Sequence, residues 1–318
     1  MKNYGRITKK KTAGTMRKYS WRNIKHDFKI NYSIYILIIP VLLFYLLFCY
    51  KPMYGAIIAF KSFSPAKGIF GSPWVGLKHF RDFFSGVYFW RVLKNTLVIS
   101  ITNLIFGFPA PIIFALLMNE LTNKLFKRTV QTITYLPHFI SLVVICSIIK
   151  EFTGTEGIIN ALFATGEKEN LLNNPAYFVP IYVISGIWQS VGWGSILYLS
   201  ALSTIDAELY EAARIDGAGH WKCAVHVTIP SIMPTITIML ILRLGQILTV
   251  GYEKIILLYS PMNYETSDVI SSYVYRVGLS EGKYDYATAV NLLNSAVNFI
   301  FVFGGNTLSR KFSDSSLW

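Results

Sequence analysis

Apolar residues along this chain gather into six long blocks, each broken by only scattered polar positions and separated from the next by charged or turn-forming stretches. The blocks lie at Ser33–Tyr50, Val92–Met118, Thr132–Ile149, Tyr177–Ser203, Ile229–Val250 and Tyr286–Leu308. A helix of about 20 residues crosses a hydrocarbon core ~30 Å thick, so each block predicts a spanning helix. The whole then reads as an all-α integral membrane protein. Pro40, Gly107, Pro109, Pro111, Gly192 and Gly194 fall inside blocks, which predicts kinks whose freed backbone groups are satisfied by neighbouring helices.

Composition agrees with that pattern and adds an orientation. Of 318 residues 53% are hydrophobic and 15% charged, against roughly 25% charged in soluble domains. One membrane domain over residues 33–308 is expected, between a basic arm at 1–32 and a short tail at 309–318. The net charge is +13, with ten Lys and Arg before Asn31. A basic arm can bind nucleic acid, but no nucleic-acid motif accompanies it, and directly before an apolar block it fixes orientation and meets anionic headgroups. Seventeen Lys and Arg fall on the arm's side of the predicted spans and eleven on the other. The positive-inside rule therefore predicts cytoplasmic termini. Cys49, Cys146 and Cys223 imply no disulfide framework or metal cluster. The first block has a charged leader of about thirty residues and no small-x-small site after Phe48, so it is expected to stay as a helix rather than be cleaved.

The most informative polar stretch is residues 204–229, between the fourth and fifth blocks. Asp206 stands where an N-cap would stand, and Glu208, Glu211, Ala212, Ala213 and Arg214 favour a helix. Gly217 and Gly219 would allow a reversal into a second short segment ending at Pro230. Surface helices of this kind commonly just cover the bilayer edge. Small Ala212 and Ala213 beside Glu211 also suit insertion into a partner's cleft, where a carboxylate meets a basic group. The residues alone leave both readings open.

The run Glu211-Ala-Ala-Arg-Ile-Asp-Gly217, followed after nine residues by Val227-Thr-Ile-Pro230, resembles the EAA motif of binding-protein-dependent ABC importer permeases. An aromatic residue common seven places after the glycine is replaced by Ala224, with Trp221 three residues earlier. Lys51–Gly55, Gly71–Gly76, Gln131–His138 and Ser271–Gly278 extend the likeness to nearly the whole chain and to the branch handling large plant or glycan oligosaccharides. The resemblance implies a six-helix type I importer permease in a bacterial plasma membrane. It implies ATPase contact through Glu208, Glu211, Ala212, Ala213, Asp216, Gly217 and Pro230. Implied partners are a second homologous permease forming a heterodimer, two ATPase subunits that hold ATP and Mg, and an extracellular sugar-binding protein. No cofactor is expected on this chain.

Its chemistry fits a transport role rather than catalysis. There is no G-x-x-x-x-G-K-[ST] phosphate loop, so ATP must be bound elsewhere. The five histidines show no H-E-x-x-H spacing and no serine sits in G-x-S-x-G, which gives an enzyme no candidate site. Arg243 lies inside the fifth block, where a lipid-facing charge costs several kcal/mol, so it should face protein or water. Gln246 and Glu253 follow at helical spacing on roughly one face, and Asn291, Asn294 and Asn298 form a second stripe. These residues either border a sugar pathway or, for the asparagines, hydrogen-bond between helices. Trp188, Gln189 and Trp193 combine ring faces with an amide, as a sugar requires, although tryptophan also populates membrane interfaces. Two mechanisms compete: alternating access driven by a separate ATPase, and secondary transport with Arg243 and Glu253 in ion coupling. The second has no use for the EAA-like loop.

Overall fold

In the computed structural model residues 30–163 and 168–312 are described, so most of the basic arm and the last six residues lie outside the described residues. Among the described residues the chain is helical, with a single isolated bridge between Lys61 and Trp74. It divides at Gly55 into two units.

The first unit holds α1 (Tyr32–Phe44), which continues as a wide π turn, Tyr45–Tyr50. Its residues are apolar on every side and none is buried; Leu37 is 75% exposed. A helix apolar all round that covers nothing in its own unit is built for lipid or a partner.

The second unit contains α2 (Lys78–Phe84), α3 (Phe89–Glu120), α4 (Lys124–Phe139), α5 (Leu142–Thr153), α6 (Pro175–Leu202), α7 (Ala207–Ile215), α8 (His220–Leu244), α9 (Tyr252–Leu258), α10 (Ile270–Tyr275) and α11 (Tyr284–Phe312). By length and apolar composition four helices can cross a membrane: Tyr32–Phe60, α3, α8 and a 28-residue stretch of α11, Tyr284–Lys311. The other two predicted spans differ instructively. α6 is 28 residues, or ~42 Å, long enough to cross, but Trp188, Gln189 and Ser190 dilute its apolar character.

The block at Thr132–Ile149 is not one straight helix. It breaks at Ile140–Ser141, and α4 and the following helix meet at 101°. Pro137 removes a backbone donor near the end of α4, Ile140 turns extended, and the Ser141 hydroxyl accepts from the Val144 N–H at 3.4 Å to start α5.

α6 is the hub, packing on α3, α4, α8 and the helix after Asn263. Gly192 allows it to lie against α4, where an added Cβ would collide with the Thr134 carbonyl. Small residues at such crossings let membrane helices approach closely. Phe178, Tyr182 and Val183 of α6 join Ile99, Ile145, Ile149 and Ile255 in the main apolar cluster, while Tyr198 and Leu202 join Ala115 and Ile232 in another.

Candidate functional site: a cationic cavity and a structured loop

The 206–230 loop folds as a capped helix, a glycine turn and a second helix. The Asp206 carboxylate accepts from the Glu208 N–H at 3.1 Å, which starts α7. At its end Gly217 adopts φ +77°, and the N–H groups of Asp216, Gly217 and Ala218 close onto the carbonyls of Ala212, Arg214 and Ala213. Gly219 is extended, so the reversal belongs to Gly217 alone. The Tyr210 hydroxyl lies 3.1 Å from the Thr228 hydroxyl and ties α7 to α8.

The second segment does not end at Pro230. α8 runs unbroken from His220 to Leu244, with a π turn at Ala224–Thr228 directly before the proline. Pro230 therefore sits in the first turn of the following α-helical stretch, where its missing N–H does least harm, and the wider turn makes room for its ring. Glu208, Glu211, Ala212, Asp216 and Gly217 are exposed and Ala213 is half-buried. Beside them the loop exposes Ile215 (86%) and Trp221 (81%), an apolar surface without cover among the described residues.

A cavity of ≈ 560 Å³ lies between α3, α6 and α8 and is lined by Gln189, Ser190, Arg243, Gln246, Asn103 and Lys254 among others. A smaller one of ≈ 150 Å³ shares Asn103, Tyr182, Arg243 and Gln246 with it. α3 opens into a π turn at Asn103–Gly107 where it borders the cavity. α8 ends at Leu244, followed by turns and an extended stretch before α9. The continuous Arg243–Glu253 helical face is therefore absent: Gln246 stays with Arg243, while Glu253 is exposed on α9, away from the cavity lining. The break begins at Gly245, where an added Cβ would collide with the Val302 side chain of α11.

Lys254, next to Glu253, takes the place expected for that carboxylate. It is 7% exposed, donates to the Tyr182 carbonyl (3.1 Å) and the Ser185 hydroxyl (2.9 Å), and lies 4.7 Å over the Tyr182 ring. Among the described residues no ion pair involves Arg243 or Lys254, and no acidic side chain lines the cavity. Sequence reading missed Lys254 because it stands in a polar stretch; the signal was the apolar run Ile255–Leu258 that makes α9 amphipathic.

The other sequence candidates are dispersed. Asn298 accepts from the Leu248 N–H (3.1 Å) and donates to Thr249 (2.9 Å), holding the chain after α8 against α11. Asn294 has a buried amide oxygen without a partner among the described residues, and Asn291 lines a separate pocket with Tyr252 and Tyr275. Trp188 is 45% exposed and outside the cavity lining, and Trp193 stacks on His138 at 4.5 Å.

Residues 107–313 match the family described as the binding-protein-dependent transport system inner membrane component. The chain belongs to this permease family. Protein LplB of Bacillus subtilis is 44% identical over 288 residues, covering 90% of this chain and 91% of the relative. The B. subtilis polygalacturonan/rhamnogalacturonan transport system permease protein YteP is 43% identical over 288 residues, covering 90% of each. A subunit of the bacterial alginate ABC transporter, crystallised with an alginate pentasaccharide-bound periplasmic protein, superposes with a TM-score of 0.85 at 41% identity, covering 92% of this chain and 99% of that one. The permease is thus a membrane transport subunit of an ABC importer and not an enzyme; the names of YteP and of the alginate transporter specify sugars, and secondary transport finds no support among the relatives.

Proposed function

We propose that this permease carries acidic, uronate-bearing oligosaccharides through the cavity bordered by Gln189, Arg243, Gln246 and Lys254, by alternating access driven by separate ATPase subunits that hold ATP and Mg. The observation that supports it is the pair of cations in a polar cavity without a lining carboxylate. Unbalanced charge at membrane depth is expensive and marks a substrate path. Amides at Gln189 and Gln246 supply the hydrogen bonds that hydroxyl groups need. Names of relatives point the same way, to polygalacturonan and to alginate.

In this reading α7 and its exposed flank, with Glu208, Glu211, Ala212, Ala213, Asp216 and Gly217, dock in the ATPase, and Pro230, just past the π turn of α8, lies in the helix that is driven. A second homologous permease completes the passage and an extracellular binding protein delivers the sugar. Both termini are cytoplasmic and six helices cross the membrane, with α4 and α5 together as a bent third span. The test is uptake by the complete transporter in proteoliposomes. An oligogalacturonate should be imported with ATP present after proton and sodium gradients are collapsed, and a neutral oligosaccharide of equal length should compete poorly. Equal competition by the neutral sugar would remove the role of the cation pair.

A further inference from the structure

At the other end of the bundle from α7, where α3 and α11 begin, lies a second cavity of ≈ 690 Å³. Its floor is a charge cluster. Asp268, fully buried, accepts from Arg91 at 2.9 Å and from Arg276 at 2.9 and 3.1 Å, and also from Ser272 at 3.0 Å. One carboxylate between two guanidiniums leaves a positive charge over, and the Arg91 Nε is buried without a hydrogen-bond partner. Burial works against the charge on Arg276, but its hydrogen bonds to Asp268 and the carboxylate's charge prevail and raise its pKa. The guanidiniums rest against tyrosine rings, Arg91 over Tyr88 at 4.8 Å and Arg276 over Tyr264 at 5.6 Å.

The rim separates possible ligands. Asp82, Glu281 and Asp285 line it together with Lys283, which pairs with Glu281 at 2.9 Å, and His79, 3.5 Å from Asp285, so a simple anion would meet repulsion as well as attraction. A ligand with many hydroxyl groups finds both donors and acceptors there, with ring faces beside them. The volume lies within the range of about 300–1,000 Å³ in which small-molecule sites fall. α3 connects this cleft to the inner cavity: Arg91 borders the first and Asn103 the second, ~18 Å apart along the helix.

We infer that the cleft floored by Arg91, Asp268 and Arg276 is an entry subsite, which holds the leading sugar units of a uronate-bearing oligosaccharide before they reach Arg243 and Lys254. The inference rests on the proposed sugar-import function. It assigns Tyr88 and Tyr264 the ring contacts and the Arg91 guanidinium a hydrogen bond to a sugar carboxylate or hydroxyl.

The experiment uses the complete transporter in proteoliposomes with its binding protein and a pentagalacturonate carrying a photoreactive diazirine at one end. Label is expected on peptides holding Tyr88 or Tyr264. The Tyr88→Ala/Tyr264→Ala double variant should lose about tenfold of that label, while the Tyr88→Phe/Tyr264→Phe variant, which keeps the rings, retains it. Label confined to the peptide holding Arg243, with uptake intact in both variants, would overturn the entry subsite and leave the import function standing. A photoreactive residue in place of Lys283 that captures the binding-protein polypeptide, with no sugar label in the cleft, would overturn it too, making the cleft a docking socket. Absence of both label and uptake in the wild-type complex would sink the import reading with it.

Discussion

Two cavities in this permease each hold cations, and they treat that charge in opposite ways. In the outer cleft Arg91 and Arg276 share the buried carboxylate of Asp268, so one of their two charges is spent inside the protein. In the inner cavity Arg243 and Lys254 face polar space with no carboxylate in the lining, and Lys254 is held by a carbonyl, a hydroxyl and a ring. The first arrangement ties α3 to the segment before α11 and keeps the cleft in shape. The second leaves charge available to a passing ligand. A cation that a fixed anion already answers holds its site in shape and has less charge left for a ligand than one that faces none.

The largest expected effect strikes the tied pair. Asp268→Ala would leave two partly buried guanidiniums without their anion, a loss of about 3–5 kcal/mol. Yield of folded permease and its melting temperature in detergent should fall steeply. If Asp268→Ala stayed as stable as wild type, the contrast between the two cavities would collapse.

Next comes the unanswered pair. Arg243→Gln with Lys254→Met should keep the melting temperature near wild type, since no ion pair is broken, while uptake of an oligogalacturonate falls about 100-fold, or ~2.7 kcal/mol. Uptake of that acidic sugar at a normal rate would show that the cavity charge faces no substrate.

A smaller effect sharpens the distinction between binding and coupling. Gly217 holds a positive φ, so Gly217→Val should cost about 1–2 kcal/mol locally. Crosslinking of a cysteine at Ala212 to the ATPase should weaken and uptake should fall. Gly217→Asn, which tolerates that conformation, should stay close to wild type. Smallest of all, Asn298→Ala removes hydrogen bonds between α11 and the chain after α8, worth about 0.6–2 kcal/mol. It should lower the melting temperature by a few degrees without altering preference for acidic over neutral sugar. A changed preference would return Asn298 to the pathway.

The sequence carried much of this because long apolar blocks and caps are local signals. The Asp206 cap, the Gly217 turn and five of the six blocks as helices were readable from neighbouring residues. What escaped depended on contacts distant in sequence. The bend at Ile140–Ser141 arises from a proline and a serine cap inside a run that hydropathy alone reads as continuous. Extending α8 to Glu253 assumed unbroken helical spacing past Gly245, and this placed Glu253 where Lys254 in fact points. The Asp268 cluster joins residues 177 positions apart, which no local pattern reveals.

The turn at Gly217 has one more consequence. A Cβ built there would meet nothing within 4 Å, so neither crowding nor a close neighbour requires the glycine. The position asks for chirality, not smallness. An L side chain is opposed there only by its own backbone, and a D-residue prefers the very conformation the turn uses. D-alanine introduced at 217 by semisynthesis should fit without strain. It should hold the reversal more firmly than glycine by about 0.4–1 kcal/mol, because it narrows the unfolded chain's choices. A permease carrying it would bring α7 to its partner already set in its turn, so the mirror-image methyl group would separate the shape of the loop from the chemistry of its side chains.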